Sequence, residues 1–121
     1  MKRIVIALAL VLCACHHESD ERTARQLTNG DPDRGQVAIE RYGCGACHQV
    51  RGVNGANGMV GPPLSNIGSR MYLAGQLPNS ATNLVQWIRD PQKVEPGTAM
   101  PNLNVSEADA RDIAAYLYTL R

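Results

Sequence analysis

Within this 121-residue chain, Cys44-Gly45-Ala46-Cys47-His48 limits the possible folds more than any other stretch. Two thiols three residues apart with an imidazole beside them have the spacing of a c-type haem attachment site. Each thiol adds to one vinyl group of the macrocycle, and the histidine takes one face of the iron. Two rival uses need surroundings that the chain does not offer. A redox-active Cys-x-x-Cys wants a βαβ setting, and the apolar pattern shows no strand of useful length. Half of a zinc site wants a second Cys or His pair downstream, and no Cys or His follows His48. The motif reads as the seat of one covalently bound haem c, held by Cys44 and Cys47, with His48 as an iron ligand.

The rest of the chain is consistent with a core built around such a group. It has no Phe, one Trp and four Tyr. A domain of roughly a hundred residues with so few large aromatics has a thin core of its own, and a buried macrocycle supplies apolar mass. The length allows one domain. Asp31-Pro32 pairs an N-cap with a first-position proline and predicts a helix to Arg41 or Tyr42, with Gly35, Ala38, Ile39 and Tyr42 near one face. A glycine inside a helix implies close approach by another backbone. Residues 49–66 read as loop, punctuated by Gly52, Gly55, Gly58, Gly61, Pro62 and Pro63, and a helical turn is expected near Ser69 to Ala74. Ser80 caps a second helix through Arg89, ended by Asp90-Pro91, and residues 91–105 read as an extended loop. Ser106-Glu107-Ala108-Asp109 is a capping box that opens a terminal helix with Ile113, Tyr116, Leu117 and Leu120 at helical spacing. The expected fold is all-α, with about three main helices plus loops wrapped round the haem.

The N-terminus reads as an export signal. Lys2 and Arg3 precede an apolar run from Ile4 to Leu12, too short for the 20 or so residues that span a bilayer. Leu12-Cys13-Ala14-Cys15 resembles a bacterial lipobox, which implies a signal peptide over residues 1–14 and lipid on Cys15. Several acyl chains, at about 0.8 kcal/mol per buried methylene, anchor such a protein to a membrane surface. Residues 15–30 are polar and unpatterned and read as a lipidated flexible tether, in which His16 and His17 are a solvated pair rather than ligands. Residues 31–121 form the domain. Of 12 basic and 11 acidic residues, Lys2 and Arg3 leave with the signal, and no basic stripe for nucleic acid remains.

The second iron ligand is sought among Met59, Met71 and Met100. Met59 is close behind His48, and Met71 falls in the expected helical turn, where packing is the ordinary role of a methionine. Met100 lies in Pro96-Gly97-Thr98-Ala99-Met100-Pro101, a proline-held loop far enough along to return across the other face of the iron, and is the expected ligand.

Over residues 30 to 121 the sequence resembles a class I cytochrome c. The carriers of the resemblance are Cys44, Cys47 and His48, Gly61-Pro62-Pro63-Leu64, and the Pro96 to Pro101 loop. The resemblance implies that the Pro62 carbonyl accepts a hydrogen bond from the His48 imidazole, which puts the Met59 loop on the His48 side. It also implies that Gly35 and Ile39 of the first domain helix cross Ile113 and Tyr116 of the last. Tyr72 to Pro101 is most similar to the cytochrome c domains fused to subunit II of bacterial haem–copper oxidases, which implies Trp87 beside the haem near Met100. The copper-binding domain and membrane helices that precede those domains have no counterpart here, so a free-standing, lipid-tethered version is expected.

The resulting expectation is a membrane-tethered one-electron carrier with His/Met-ligated haem, without catalytic activity of its own, passing electrons to a terminal haem–copper oxidase. The alternative is the electron-accepting cytochrome subunit of an exported dehydrogenase complex, so the partners are redox proteins: an oxidase, another cytochrome or a dehydrogenase. A haem peroxidase or gas-binding protein needs a vacant sixth position, against which the proline-flanked Met100 argues. The expected location is outside the cytoplasmic membrane or in the periplasm, lipid-anchored to a bacterial membrane.

Overall fold

Local capping chemistry starts each of the longer domain helices, and the architecture follows from how those helices are tied together. A computed structural model describes residues 18–121; the expected signal peptide, Cys15, His16 and His17 lie outside the described residues. The described chain contains helices α1 (residues 18–28), α2 (Pro32–Arg41), α3 (Ala81–Arg89), α4 (Pro91–Val94) and α5 (Glu107–Thr119). Two single 3₁₀ turns, Cys44–Ala46 and Ile67–Ser69, and a hairpin of strands β1 (Tyr72–Leu73) and β2 (Leu77–Pro78) complete it. No helix among the described residues is long and apolar enough to cross a membrane.

At the start of α2 the Asp31 carboxylate accepts from the Asp33 and Arg34 amides at 2.9 and 3.1 Å, with Pro32 in the first turn. Among the elements from α2 onward, the α2–α5 contact is the most extensive. Gly35 makes it possible, because a Cβ there would overlap the Asp112 carbonyl. Asp112 is 6% exposed and accepts from Arg34 Nε at 2.8 Å, Arg34 Nη2 at 3.0 Å and the Asp31 amide at 2.7 Å. One turn earlier on α5, Asp109 accepts from the Tyr42 hydroxyl at 2.8 Å and pairs with Arg41 at 2.7 Å. Two carboxylates on α5 thereby hold both ends of α2. Ile39, Leu84, Ile88, Ile113 and Leu117 from α2, α3 and α5 share one buried cluster. The Tyr116 hydroxyl donates to the Arg51 carbonyl at 2.7 Å, so this side chain also braces the loop after the Cys-x-x-Cys turn.

The structure differs from the sequence expectations in four places. Residues 18–28, read as flexible tether, are helical: Ala24 and Thr28 are buried, and Arg25 pairs with Asp31. The helix lacks a broad apolar stripe, which is the signal a sequence reading uses. The helical turn expected at Ser69 to Ala74 sits earlier, at Ile67–Ser69. The chain then turns back through Ala74 and Gly75 at φ +48° and +77°, with the Gln76 amide on the Leu73 carbonyl at 3.1 Å. Strands of two residues are too short to show a period of two. Residues 91–94, read as extended, form α4, because Asp90-Pro91 is also a start signal and the Asp90 carboxylate accepts from the Lys93 amide. Finally, Met71 does not pack in the interior; it is 78% exposed.

Candidate functional site

Gly43, in the left-handed region at φ +71°, turns the chain out of α2 into the 3₁₀ turn at Cys44–Ala46. The Cys47 and His48 amides both donate to the Cys44 carbonyl, at 3.2 and 3.0 Å. In a 3₁₀ turn residues i and i+3 eclipse, so Cys44 and Cys47 fall on the same side. Both thiols are free and partly buried. Burial pushes the Cys44 thiol above its ordinary pKa.

Three backbone hydrogen bonds lay the following loop along this turn: Gly58 amide to Gly45 carbonyl at 3.0 Å, Gly61 to Cys47 at 2.8 Å, and Leu64 to Gln49 at 2.9 Å. They bring the Pro62 carbonyl to 2.8 Å from His48 Nδ1. A carbonyl can only accept, so Nδ1 carries the proton and Nε2 keeps its lone pair for a metal. Gly61 lies directly on the imidazole, where a Cβ would collide with the ring. The sequence marks Gly61 as part of Gly61-Pro62-Pro63-Leu64, but it does not show that the ring of His48 occupies the space a side chain would need.

Cys44, Cys47, His48, Pro62, Trp87 and Met100 all line one cavity of about 620 Å³, whose floor is Ile39, Leu84, Ile88, Ile113 and Leu117. That volume lies within the usual range for small-molecule and cofactor sites. Arg70 and Glu95 are the charged side chains on its wall, and an Arg70 guanidinium nitrogen donates to the Pro63 carbonyl. The β1–β2 hairpin, unforeseen in the sequence, contributes Tyr72 to Gly75. Met59 and Met71 are 85% and 78% exposed and do not line the cavity. A more open groove of about 780 Å³, between α1, α3 and the start of α5, is lined largely by charged and amide side chains and holds no thiol, imidazole or thioether.

The donor set fits a metal that arrives inside a macrocycle. Among the described residues no group of three or more His, Cys, Asp or Glu could hold an ion by itself. What the cavity offers is two thiols for covalent bonds, one oriented imidazole and one thioether, within apolar walls. A porphyrin iron brings four nitrogens of its own and needs two axial donors, with sulfur or nitrogen donors typical of c-type sites.

Comparison with known proteins agrees. The family model described as cytochrome c matches residues 32–121. The chain is 39% identical over 90 residues to cytochrome c oxidase subunit 2 of Alkalihalophilus pseudofirmus and 32% identical over 88 residues to that of Bacillus sp. strain PS3. These matches take in 74% and 69% of this chain but 25% of each subunit, so the chain spans about a quarter of those relatives. It is also 31% identical over 90 residues to cytochrome c-552 of Nitrosomonas europaea, covering 68% of this chain and 74% of that protein. The chain belongs to the cytochrome c family, as a class I c-type domain with covalently bound haem c as its cofactor.

Proposed function

We propose that this protein is a lipid-anchored one-electron carrier that hands electrons to a terminal haem–copper oxidase and has no catalytic activity of its own. Cytochrome c domains carry electrons, and the bound haem supplies reversible one-electron chemistry at its iron. Cys44 and Cys47 would hold the macrocycle as thioethers, each S–H having added across one vinyl double bond. His48 through Nε2 and Met100 through its sulfur would hold the iron. The observation that carries this reading is the convergence of these four side chains on one cavity, with His48 Nδ1 satisfied by Pro62.

In this reading each residue has a distinct task. The Pro62 carbonyl fixes the imidazole tautomer and raises the basicity of Nε2. Met100 favours the ferrous state relative to a second histidine and so raises the potential. With both His48 and Met100 on the iron, no position would be left for peroxide or a gas. Trp87 closes the cavity wall. The oxidase partner is supported by the similarity to two oxidase subunits. The anchor at Cys15 rests on the lipobox-like Leu12 to Cys15 and puts the domain at an outward-facing bacterial membrane surface. The alternative acceptor role, as the cytochrome subunit of an exported dehydrogenase complex, uses the same site and differs only in the proteins that copurify.

The purified protein is expected to give a c-type pyridine haemochrome that survives acid–acetone extraction. Its ferric form is expected to show a weak long-wavelength sulfur-to-iron band, lost in Met100→Ala and kept in Met59→Ala and Met71→Ala. Retention of that band by Met100→Ala would overturn the ligand assignment.

A further inference from the structure

We propose that Gln92 is a positioning residue whose side-chain amide holds the Met100 loop closed and so keeps the thioether on the iron; this rests on the assignment of Met100 as ligand. The loop from Pro96 to Pro101 has little support of its own. Two of its residues are prolines without an amide proton. Among the described residues its one backbone-to-backbone bond is from the Thr98 amide to the Glu95 carbonyl at 3.1 Å.

A long bond from the Met100 amide to the Thr98 hydroxyl, at 3.4 Å, is the loop's own side-chain contribution, and Gln92 supplies three more bonds. Its Nε2 donates to the Thr98 carbonyl at 2.8 Å and to the carbonyl of Met100 itself at 3.0 Å, while its Oε1 accepts from the Gly97 amide at 3.2 Å. Only one orientation of the amide satisfies all three, because the reverse would set an oxygen against two carbonyls and an NH₂ against an N–H. The amide is therefore used as both acceptor and double donor. A carboxylate lacks the donors, and an ammonium lacks the acceptor. The clamp stands on a firm base: Gln92 is the second residue of α4, next to the fully buried Pro91. Beyond Met100, the Asp90 carboxylate takes the Asn102 side-chain amide at 3.4 Å, so α4 and its N-cap hold the chain on both sides of Met100.

Gln92 is exposed and distant in role from the core, so its removal need not disturb folding. The test uses ferric holoprotein with imidazole as the probe, since imidazole enters only when Met100 leaves the iron. Gln92→Ala removes all three bonds. Gln92→Glu keeps the length and the Gly97 contact but loses both donors. Two net hydrogen bonds correspond to roughly a tenfold change or more in the loop-opening equilibrium, so imidazole association is expected to be about tenfold faster in both variants, with the sulfur-to-iron band still present at rest. Association within twofold of wild type in both variants overturns the clamp, whatever happens to the urea midpoint, because a merely structural role moves the midpoint alone. Failure of the underlying assignment looks different: the band is missing from wild type or survives Met100→Ala, and the clamp falls with it.

Discussion

Replacing Gly35 by alanine sets two effects of opposite sign against each other. Gly35 is the fourth residue of α2, an interior position where alanine is the better helix former by about 0.8–1.0 kcal/mol. Propensity alone therefore predicts a stabilised protein. The added Cβ, however, meets the carbonyl of Asp112 and lies 3.0 Å from the Ile113 amide nitrogen. Both are backbone of α5, and neither can rotate aside. Overpacking of this kind costs about 1–3 kcal/mol. Moving α5 away also lengthens the bonds from the Asp31 amide and Arg34 to the buried Asp112 carboxylate, and bonds to a charged group contribute about 1.5–3 kcal/mol each when intact. The contact terms outweigh propensity, and the net expectation is a loss of about 2 kcal/mol, or roughly 8–16 °C in Tm for a domain of this size. Thermal and urea unfolding of the holoprotein, followed by far-ultraviolet circular dichroism, measures it. Val37→Ala, on the same helix but 63% exposed, is the control and is expected to stay within about 0.5 kcal/mol of wild type. A Gly35→Ala protein as stable as wild type, or more so, would refute the reasoning.

Three further expectations follow from the same geometry. Asp31 is held below the usual carboxylate range by the Arg34 amide against the opposing effect of burial, then by Arg25; Asp109 by the Ser106 and Tyr42 hydroxyls and then Arg41; Glu107 by Arg111. Unfolded carboxylates take up protons near pH 4, before these folded ones do, so their stabilisation is complete above that pH and is lost as pH falls through the lower folded values. The urea midpoint should drop from pH 5 to pH 3, with Asp109→Asn starting lower and falling less; parallel curves would count against the pairing. Gly61→Ala forces a methyl against the His48 ring, with an expected loss of about 1–3 kcal/mol and a changed Soret circular dichroism, while an unaltered spectrum and midpoint would contradict that seat. Cys15→Ser should move the processed protein from the membrane fraction to the soluble one, and its retention in the membrane would exclude lipid at Cys15 as the anchor.

Much of the fold was legible because its determinants are local. The caps at Asp31, Ser80 and Ser106 act within three residues of themselves, and each is found bonded to the amide that its spacing predicts. Asp90-Pro91 is ambiguous in sequence, a stop after an apolar-periodic run and a start of the same form as Asp31-Pro32; it ends α3 and starts α4. The α1 helix gave no local warning. Of its residues Ala24 and Thr28 are buried while Leu27 is 53% exposed, and its ties run to Asp31, Asp33 and, through Asp20, to Arg121 at the other end of the chain. A helix supported by distant charges carries no periodic signature.

The site divides along the same line. Cys44, Cys47 and His48 must be contiguous because one turn of chain has to present two thiols and an imidazole to a single macrocycle, so the motif is compressed into five residues. The residues that set the geometry have no such constraint. Gly61 stands in the Gly61-Pro62-Pro63-Leu64 motif, but its contact with the imidazole arises only because backbone hydrogen bonds from Gly58, Gly61 and Leu64 draw its loop against the Cys-x-x-Cys turn. Gln92 matters because a four-residue helix stands it beside three backbone groups of the Met100 loop; in sequence it is an ordinary polar residue. Ligands are named by their chemistry, whereas their supports are named by what they face. A Gln92 substitution therefore perturbs ligand exchange without touching any residue of the recognisable motif.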